Sequence, residues 1–114
     1  MIDNRLLGTW KSDRKKTFAE YVPRRRVSAV WLRKFKSIFG KLVIRYTPRK
    51  FICDYDGNQE TVSYQVLGKD SDSVVIRFYS DLWNEWRVDQ LHFDGHHYWV
   101  WTYGLREFFK KVSD

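Results

Sequence analysis

The chain has 114 residues, a formal net charge of +7 at pH 7 and an aromatic content of 18%, which together indicate one domain with a single core built from large rings. Its only cysteine, Cys53, excludes an internal disulfide and favours a reducing compartment. We find no signal-peptide pattern and no apolar run of membrane-spanning length, so the expected location is the cytoplasm.

The positive charge is concentrated near the N-terminus. Residues 11–41 contain eleven Lys and Arg, opposed only by Asp13 and Glu20, so this window carries +9 and the remainder −2. This uneven distribution of charge favours an anionic partner on one side of the molecule. The basic surface is predicted to comprise Arg24, Arg25, Arg26, Arg33, Lys34 and Lys36.

The first elements are a strand over residues 5–11 and then two helices. A helix over residues 14–22 would begin after Ser12 or Asp13 and stop before Pro23. A second helix over residues 27–39 is predicted because its apolar residues recur at spacings of three and four, and Gly40 suits its end.

From residue 41 onward the apolar period changes to two, which predicts strands joined by short turns. The predicted strands cover residues 41–47, 50–55, 61–67, 73–79, 86–93, 98–103 and 106–112. With the first strand they form a mainly β fold, an antiparallel meander of about eight strands interrupted by a two-helix insertion. Such a meander can close into a small barrel, which removes exposed strand edges.

The segment Leu7-Gly8-Thr9-Trp10-Lys11, followed by a helix pair and a meander, resembles the calycins, which include lipocalins and fatty-acid-binding proteins. The resemblance implies a single lipocalin-like domain over residues 1–114 with a helical lid at about 14–39. It also implies that Gly8 and Trp10 close the barrel. For Arg106 it offers a ligand carboxylate or the Trp10 ring as partner. Because Phe108 replaces the tyrosine of the fatty-acid-binding pattern, we predict that Arg106 stacks on Trp10.

Two hypotheses of function follow. The first is a binding protein for a small apolar or amphiphilic anion that enters beneath the helices and sits in the barrel. Its candidate contacts are Trp31 and Phe35 from the lid, Tyr46, Tyr55 and Trp101 from the wall, and Arg106 as the charge. The alternative is an interaction module whose basic helices contact an anionic membrane, a nucleic acid or a protein. A barrel filled by its own aromatic rings would argue against the first hypothesis.

Catalysis and metal binding are not predicted. His92, His96 and His97 lie near Asp94 at a hairpin turn, but adjacent histidines in a strand point to opposite faces. Cys53 lies in a predicted strand with Phe51 and Tyr55 on its own face, so we expect it to be a small core residue. We therefore expect a non-enzymatic protein without a cofactor or metal site.

Overall fold

The computed structural model describes residues 1–114 as a closed barrel of eight antiparallel strands, each paired with its neighbours in sequence. The predicted mainly β meander with two helices after the first strand is confirmed. The strands are β1 (Gly8–Ser12), β2 (Leu42–Tyr46), β3 (Lys50–Tyr55), β4 (Asn58–Lys69), β5 (Ser73–Ser80), β6 (Glu85–Asp94), β7 (His97–Thr102) and β8 (Leu105–Ser113).

The barrel closes where β1 pairs with β8. Ser12 lies opposite Phe109 and Trp10 opposite Lys111, with a register shift between Thr9 and Trp10. Gly8 is needed at this seam because its φ is +120° and a Cβ there would lie 2.5 Å from the Ser113 carbonyl oxygen. Any side chain would have to displace the β8 backbone, so the glycine is a requirement of closure.

Twelve buried side chains form one cluster inside the barrel. All but Leu6 lie on strands, where they alternate with outward residues as a pleated strand requires. Trp10 is 2% exposed, its ring meets Tyr98 edge-on at 4.8 Å, and its indole nitrogen donates to the Leu6 carbonyl oxygen at 2.8 Å. The Trp10 indole therefore plugs the barrel end from which β1 begins, with its polar atom satisfied.

The cation over Trp10 is Lys111, and the predicted pairing of Trp10 with Arg106 is wrong. The Lys111 ammonium lies 5.6 Å from the indole centroid, whereas the Arg106 guanidinium lies over Trp99 and Phe108. The antiparallel register explains the difference, because it sets Lys111 opposite Trp10. Arg106 is five residues earlier on the same strand, and an odd offset puts it on the opposite face.

The insertion contains α1 (Arg14–Phe18) and α2 (Ala29–Ser37), both shorter than predicted. Each begins at a capping residue, since the Asp13 carboxylate accepts from the Lys16 amide and the Ser28 hydroxyl from the Trp31 amide. The chain between them, residues 19–28, contains Pro23 and three arginines and forms no regular helix.

Helix α1 continues the β1–β8 seam. The β1–β8 ladder ends at Ser12. The next residue of β8, Phe108, forms its backbone hydrogen bonds with the N-terminal part of the insertion. Its carbonyl oxygen accepts from the Asp13 amide at 2.8 Å, and its amide donates to the Thr17 hydroxyl at 2.9 Å. These two bonds satisfy a backbone that would otherwise be an open edge.

Helix α2 packs its apolar stripe on α1. Phe35 meets Phe18 at 5.9 Å, Tyr21 at 6.1 Å and Phe39 at 5.3 Å, while Trp31 stacks on Phe35. No residue of α2 is buried. The rings of the two helices thus form their own small cluster beside the barrel. None of the helices is long and apolar enough to cross a membrane.

Replacing Trp10 by Phe tests the plug. We expect a loss of about 1–3 kcal/mol in the free energy of unfolding, because the buried Leu6 carbonyl loses its donor. Urea denaturation measures this, and Trp101→Phe is the matched control at a position that is 60% exposed. The control should change stability by no more than about 0.5 kcal/mol. Equal effects in both variants would contradict the assigned role of Trp10.

Candidate functional site

A cleft of about 660 Å³ lies outside the barrel, between the insertion and the β7–β8 hairpin. One wall is formed by α1, residues 19–25, Val27 and Trp31, and the other by Trp101 and residues 103–106. Phe108 and Asp94 also border the space. We call this space the hairpin cleft. It is of the size that small-molecule sites in proteins usually have, about 300–1,000 Å³.

Arg106 lies against this cleft because of the β7–β8 register. The Tyr98–Phe109 pair faces the inside of the barrel. Because side chains alternate between the two faces of a strand, the Trp99–Phe108 and Trp101–Arg106 pairs face outward. The Arg106 guanidinium lies 5.2 Å from the Trp99 ring centroid. Aromatic faces on the outer surface therefore hold the cation in place without neutralising it.

The charge of Arg106 is largely available to a ligand. Its nearest carboxylate oxygen is Glu20 Oε2 at 3.9 Å, and the two side chains are 46% and 88% exposed. An ion pair that long and that exposed contributes little. Arg24, Arg25 and Lys16 also line the cleft, against only Glu20 and Asp94, so four cations face two carboxylates. The cleft thus has a net charge of +2.

The rim of the hairpin cleft is aromatic. Tyr103 and Trp101 are 69% and 60% exposed, and Trp31 approaches from the opposite wall. Tyr103 and Gly104 form the β7–β8 turn, and both have a positive φ, 49° and 78°. Exposed rings around a cationic floor suit a ligand that has both an apolar part and an anionic group.

The structure brings three of the six predicted ligand residues together. Trp31, Trp101 and Arg106 line the hairpin cleft, together with Arg24 and Arg25 of the predicted basic surface. Trp101 and Arg106 were expected inside the barrel, and that expectation is wrong because both lie on outward positions of the register.

The other three predicted residues lie elsewhere. Tyr46 is buried in the core, where its hydroxyl is 2.9 Å from that of Tyr98 and its pKa is raised by burial. Tyr55 donates to the Ile38 carbonyl oxygen at the end of α2. Phe35 is occupied by the ring cluster of the helices. Of these three, only Tyr46 belongs to the core inside the barrel, and there it is packed among the protein's own side chains.

The reactive side chains have structural partners. Burial raises the pKa of the Cys53 thiol to about 12, which disfavours the nucleophilic thiolate near neutral pH. His92 stacks on Trp99 with ring centroids 3.9 Å apart, and His97 Nε2 lies 3.0 Å from Asp13 Oδ2. No group of three or more His, Cys, Asp and Glu side chains is arranged to hold a metal ion.

A buried link that we did not predict from the sequence holds the two ends of the insertion. Glu107 Oε2 accepts from the Ser12 hydroxyl at 2.8 Å, and that hydroxyl oxygen accepts from the Gly40 amide at 3.1 Å. Ser12 ends β1 and Gly40 precedes β2, so one carboxylate joins both ends of the segment between them. The alternation of β8 does place Glu107 inward, next to outward Arg106, once the register is known.

Comparison with known proteins yields no match: no family model, curated protein or solved structure is significantly similar to this chain.

Glu107→Gln tests the cost of the buried carboxylate. Burial raises its pKa above 4.5, although hydrogen bonds from Ser12 and Thr102 act in the opposite direction. The folded state therefore holds this proton more tightly, and stability falls as pH rises through the folded pKa. Glutamine cannot ionise and keeps an acceptor for Ser12. The variant should gain stability over the wild type as pH rises from 4 to 7.

Urea midpoints at several pH values measure this difference, and Glu85→Gln at an exposed position is the matched control. A Glu107→Gln advantage that shrinks with rising pH, or that the control reproduces, would contradict the argument.

Proposed function

We propose that this protein is a non-catalytic binding protein for a small amphiphilic anion, held in the hairpin cleft. The observation that carries the proposal is the position of Arg106. Its guanidinium rests on the Trp99 ring, borders a cleft of about 660 Å³ and has only a 3.9 Å contact to a carboxylate. An arginine placed in this way offers a planar fork of donors to a carboxylate or phosphate.

The apolar part of the ligand would contact the aromatic rim. Trp31 and Trp101 supply rings from opposite walls, and Tyr103 covers the hairpin end. Arg24 and Arg25 have no carboxylate within 4 Å, so a second anionic group would find further donors there. Because all these cations are solvated when the cleft is empty, the unliganded protein bears no large desolvation cost.

We further propose that the fold is calycin-like. Support comes from the Gly8-Thr9-Trp10 unit on β1, from the plugging role of Trp10 and from an insertion placed between β1 and β2. The cleft differs from the expected barrel site in lying on the outer surface. In this proposal the β7–β8 hairpin of the barrel forms one wall of the site and the insertion forms the other.

Arg106→Gln should weaken the binding of dodecanoate by about tenfold, because a charge-assisted bidentate contact is replaced by a neutral one. Titration below the micelle concentration, followed by tryptophan fluorescence, measures the affinity. Arg45→Gln is the matched control, since Arg45 is exposed on β2 and does not line the hairpin cleft. Dodecanol, which has the same chain without the charge, should bind more weakly than dodecanoate.

The result that would refute this proposal is a dodecanoate affinity that Arg106→Gln leaves unchanged. Equal binding of dodecanol would likewise show that the cations are not part of the site.

A second candidate function is contact with an anionic membrane surface through the basic surface. The observation that favours it is the exposure of Arg26, Arg33 and Lys34, none of which has a carboxylate within 4 Å. These residues lie outside the hairpin cleft. A surface of unpaired cations is attracted to anionic lipid, with a strength that falls as salt screens the charges.

Charge reversal separates the two candidates. Arg26→Glu, Arg33→Glu and Lys34→Glu together change the net charge by −6 and should abolish sedimentation with phosphatidylserine vesicles at low salt. Dodecanoate binding should persist, because the hairpin cleft is intact. If the wild type itself fails to sediment, or if the triple variant sediments equally, the membrane candidate is refuted.

A further inference from the structure

A second cleft, of about 490 Å³, lies on the other side of α1 from the hairpin cleft and shares no lining residue with it. We call it the lysine cleft. Its cations come from β1, α1, β8 and the residue before β2, so they are brought together only by the fold. The cations are Lys11, Arg14, Lys15, Lys41 and Lys110, and the only carboxylate among the lining residues is Asp13.

Two of these cations are forced together by the strand register. Lys11 and Lys110 lie directly opposite each other on β1 and β8, and both are exposed. On the other side of Lys110, at the same level, lies His97 of β7. Like charges directly opposite on neighbouring strands destabilise a sheet. Neither lysine has a carboxylate within 4 Å to offset the repulsion.

The single carboxylate is already occupied. Asp13 accepts from the Lys16 amide at 3.1 Å and lies 3.0 Å from His97 Nε2. Burial acts to raise the pKa of Asp13, but these hydrogen bonds and the nearby charge of Lys110 hold that pKa below its ordinary value. Asp13 thus remains an anion near neutral pH, and one negative charge stands against five positive ones.

A close approach of Gly40 to Arg14 and a hydrogen-bonded link to Ser12 and Glu107 hold the backbone around the lysine cleft in place. Gly40 has a φ of +88°, and a Cβ there would lie 3.1 Å from Arg14 Cβ, so the absence of a side chain lets the two segments approach. The Gly40 amide is tied to the Ser12 hydroxyl, and through it to buried Glu107. This link fixes the backbone of Lys41 beside α1, so the cationic side chains project from an anchored frame.

We propose that the lysine cleft binds an anion that carries two or more phosphate groups. The cleft has five cations, and its one carboxylate, Asp13, is already hydrogen-bonded. The remaining positive charge is more than a single carboxylate or monophosphate would neutralise. Lysine is a common phosphate ligand that acts as a point charge. Only Phe39 and Val112 among the lining side chains are large and apolar, so this ligand needs no hydrophobic part, unlike that of the hairpin cleft. A free polyphosphate and a phosphorylated lipid headgroup share this chemistry.

Calorimetric titration with inorganic tripolyphosphate tests the proposal. Lys11→Gln with Lys110→Gln should lower its affinity by about tenfold. The same variant without ligand should melt at or above the wild-type temperature, because the cross-strand repulsion is gone. Lys34→Gln with Lys36→Gln, which removes the same charge from α2, is the matched control and should change the affinity by less than about twofold.

Further measurements distinguish a lipid headgroup from a free anion as the ligand, and the lysine cleft from the hairpin cleft as its site. Vesicles that contain a bisphosphorylated inositol lipid report a headgroup ligand if they bind the wild type and not the Lys11/Lys110 variant, whereas binding of tripolyphosphate alone assigns a free anion. Arg106→Gln should leave tripolyphosphate binding intact. The proposal is overturned if tripolyphosphate does not bind, if monophosphate binds as tightly, or if both double variants lose affinity equally.

Discussion

Closure of the barrel at the β1–β8 seam is the constraint on which the other features depend. The ladder from Thr9 to Ser12 is continued by α1, which bonds both backbone groups of Phe108 through Asp13 and Thr17. Because these groups would otherwise form an open edge, α1 is a structural part of the barrel. Because α1 is fixed in this position, one cleft lies on each of its sides. Both the hairpin cleft and the lysine cleft therefore depend on the closure of the barrel at this seam.

The alternation of side chains along β8 separates those that hold the structure together from those that line the hairpin cleft. Glu107 and Phe109 point inward, to the link that holds the insertion and to the core, while Arg106 and Phe108 point outward to the hairpin cleft. Strand geometry permits such a division at single-residue spacing. A one-residue shift in register would exchange the inward and outward side chains of β8. The packing of the aromatic core sets the register, so it also determines which charged side chains reach solvent.

The two clefts differ in chemistry although both are basic. The hairpin cleft combines Arg106 with the rings of Trp31 and Trp101, whereas the lysine cleft presents amines with little apolar surface. Arginine over an aromatic face suits a ligand with an anionic head and an apolar body. Clustered lysines suit dense phosphate charge. The high positive charge of residues 11–41 is therefore divided between two environments and the exposed surface of the helices.

The amino-acid pattern was sufficient for the architecture, because strand alternation, helix period and turn residues act over a few positions. The closing role of Trp10 came from the resemblance of its segment to the calycins, whereas the charge pattern itself identified the window around α1 and α2 as the basic region. Which side of β8 Arg106 occupies could not be read locally, since it depends on how β7 and β8 pair around Tyr98 and Phe109. For the same reason Lys111, and not Arg106, meets Trp10, and Lys110 meets Lys11 from the other end of the chain. Such long-range neighbours arise only when the barrel closes, because closure joins the first strand to the last.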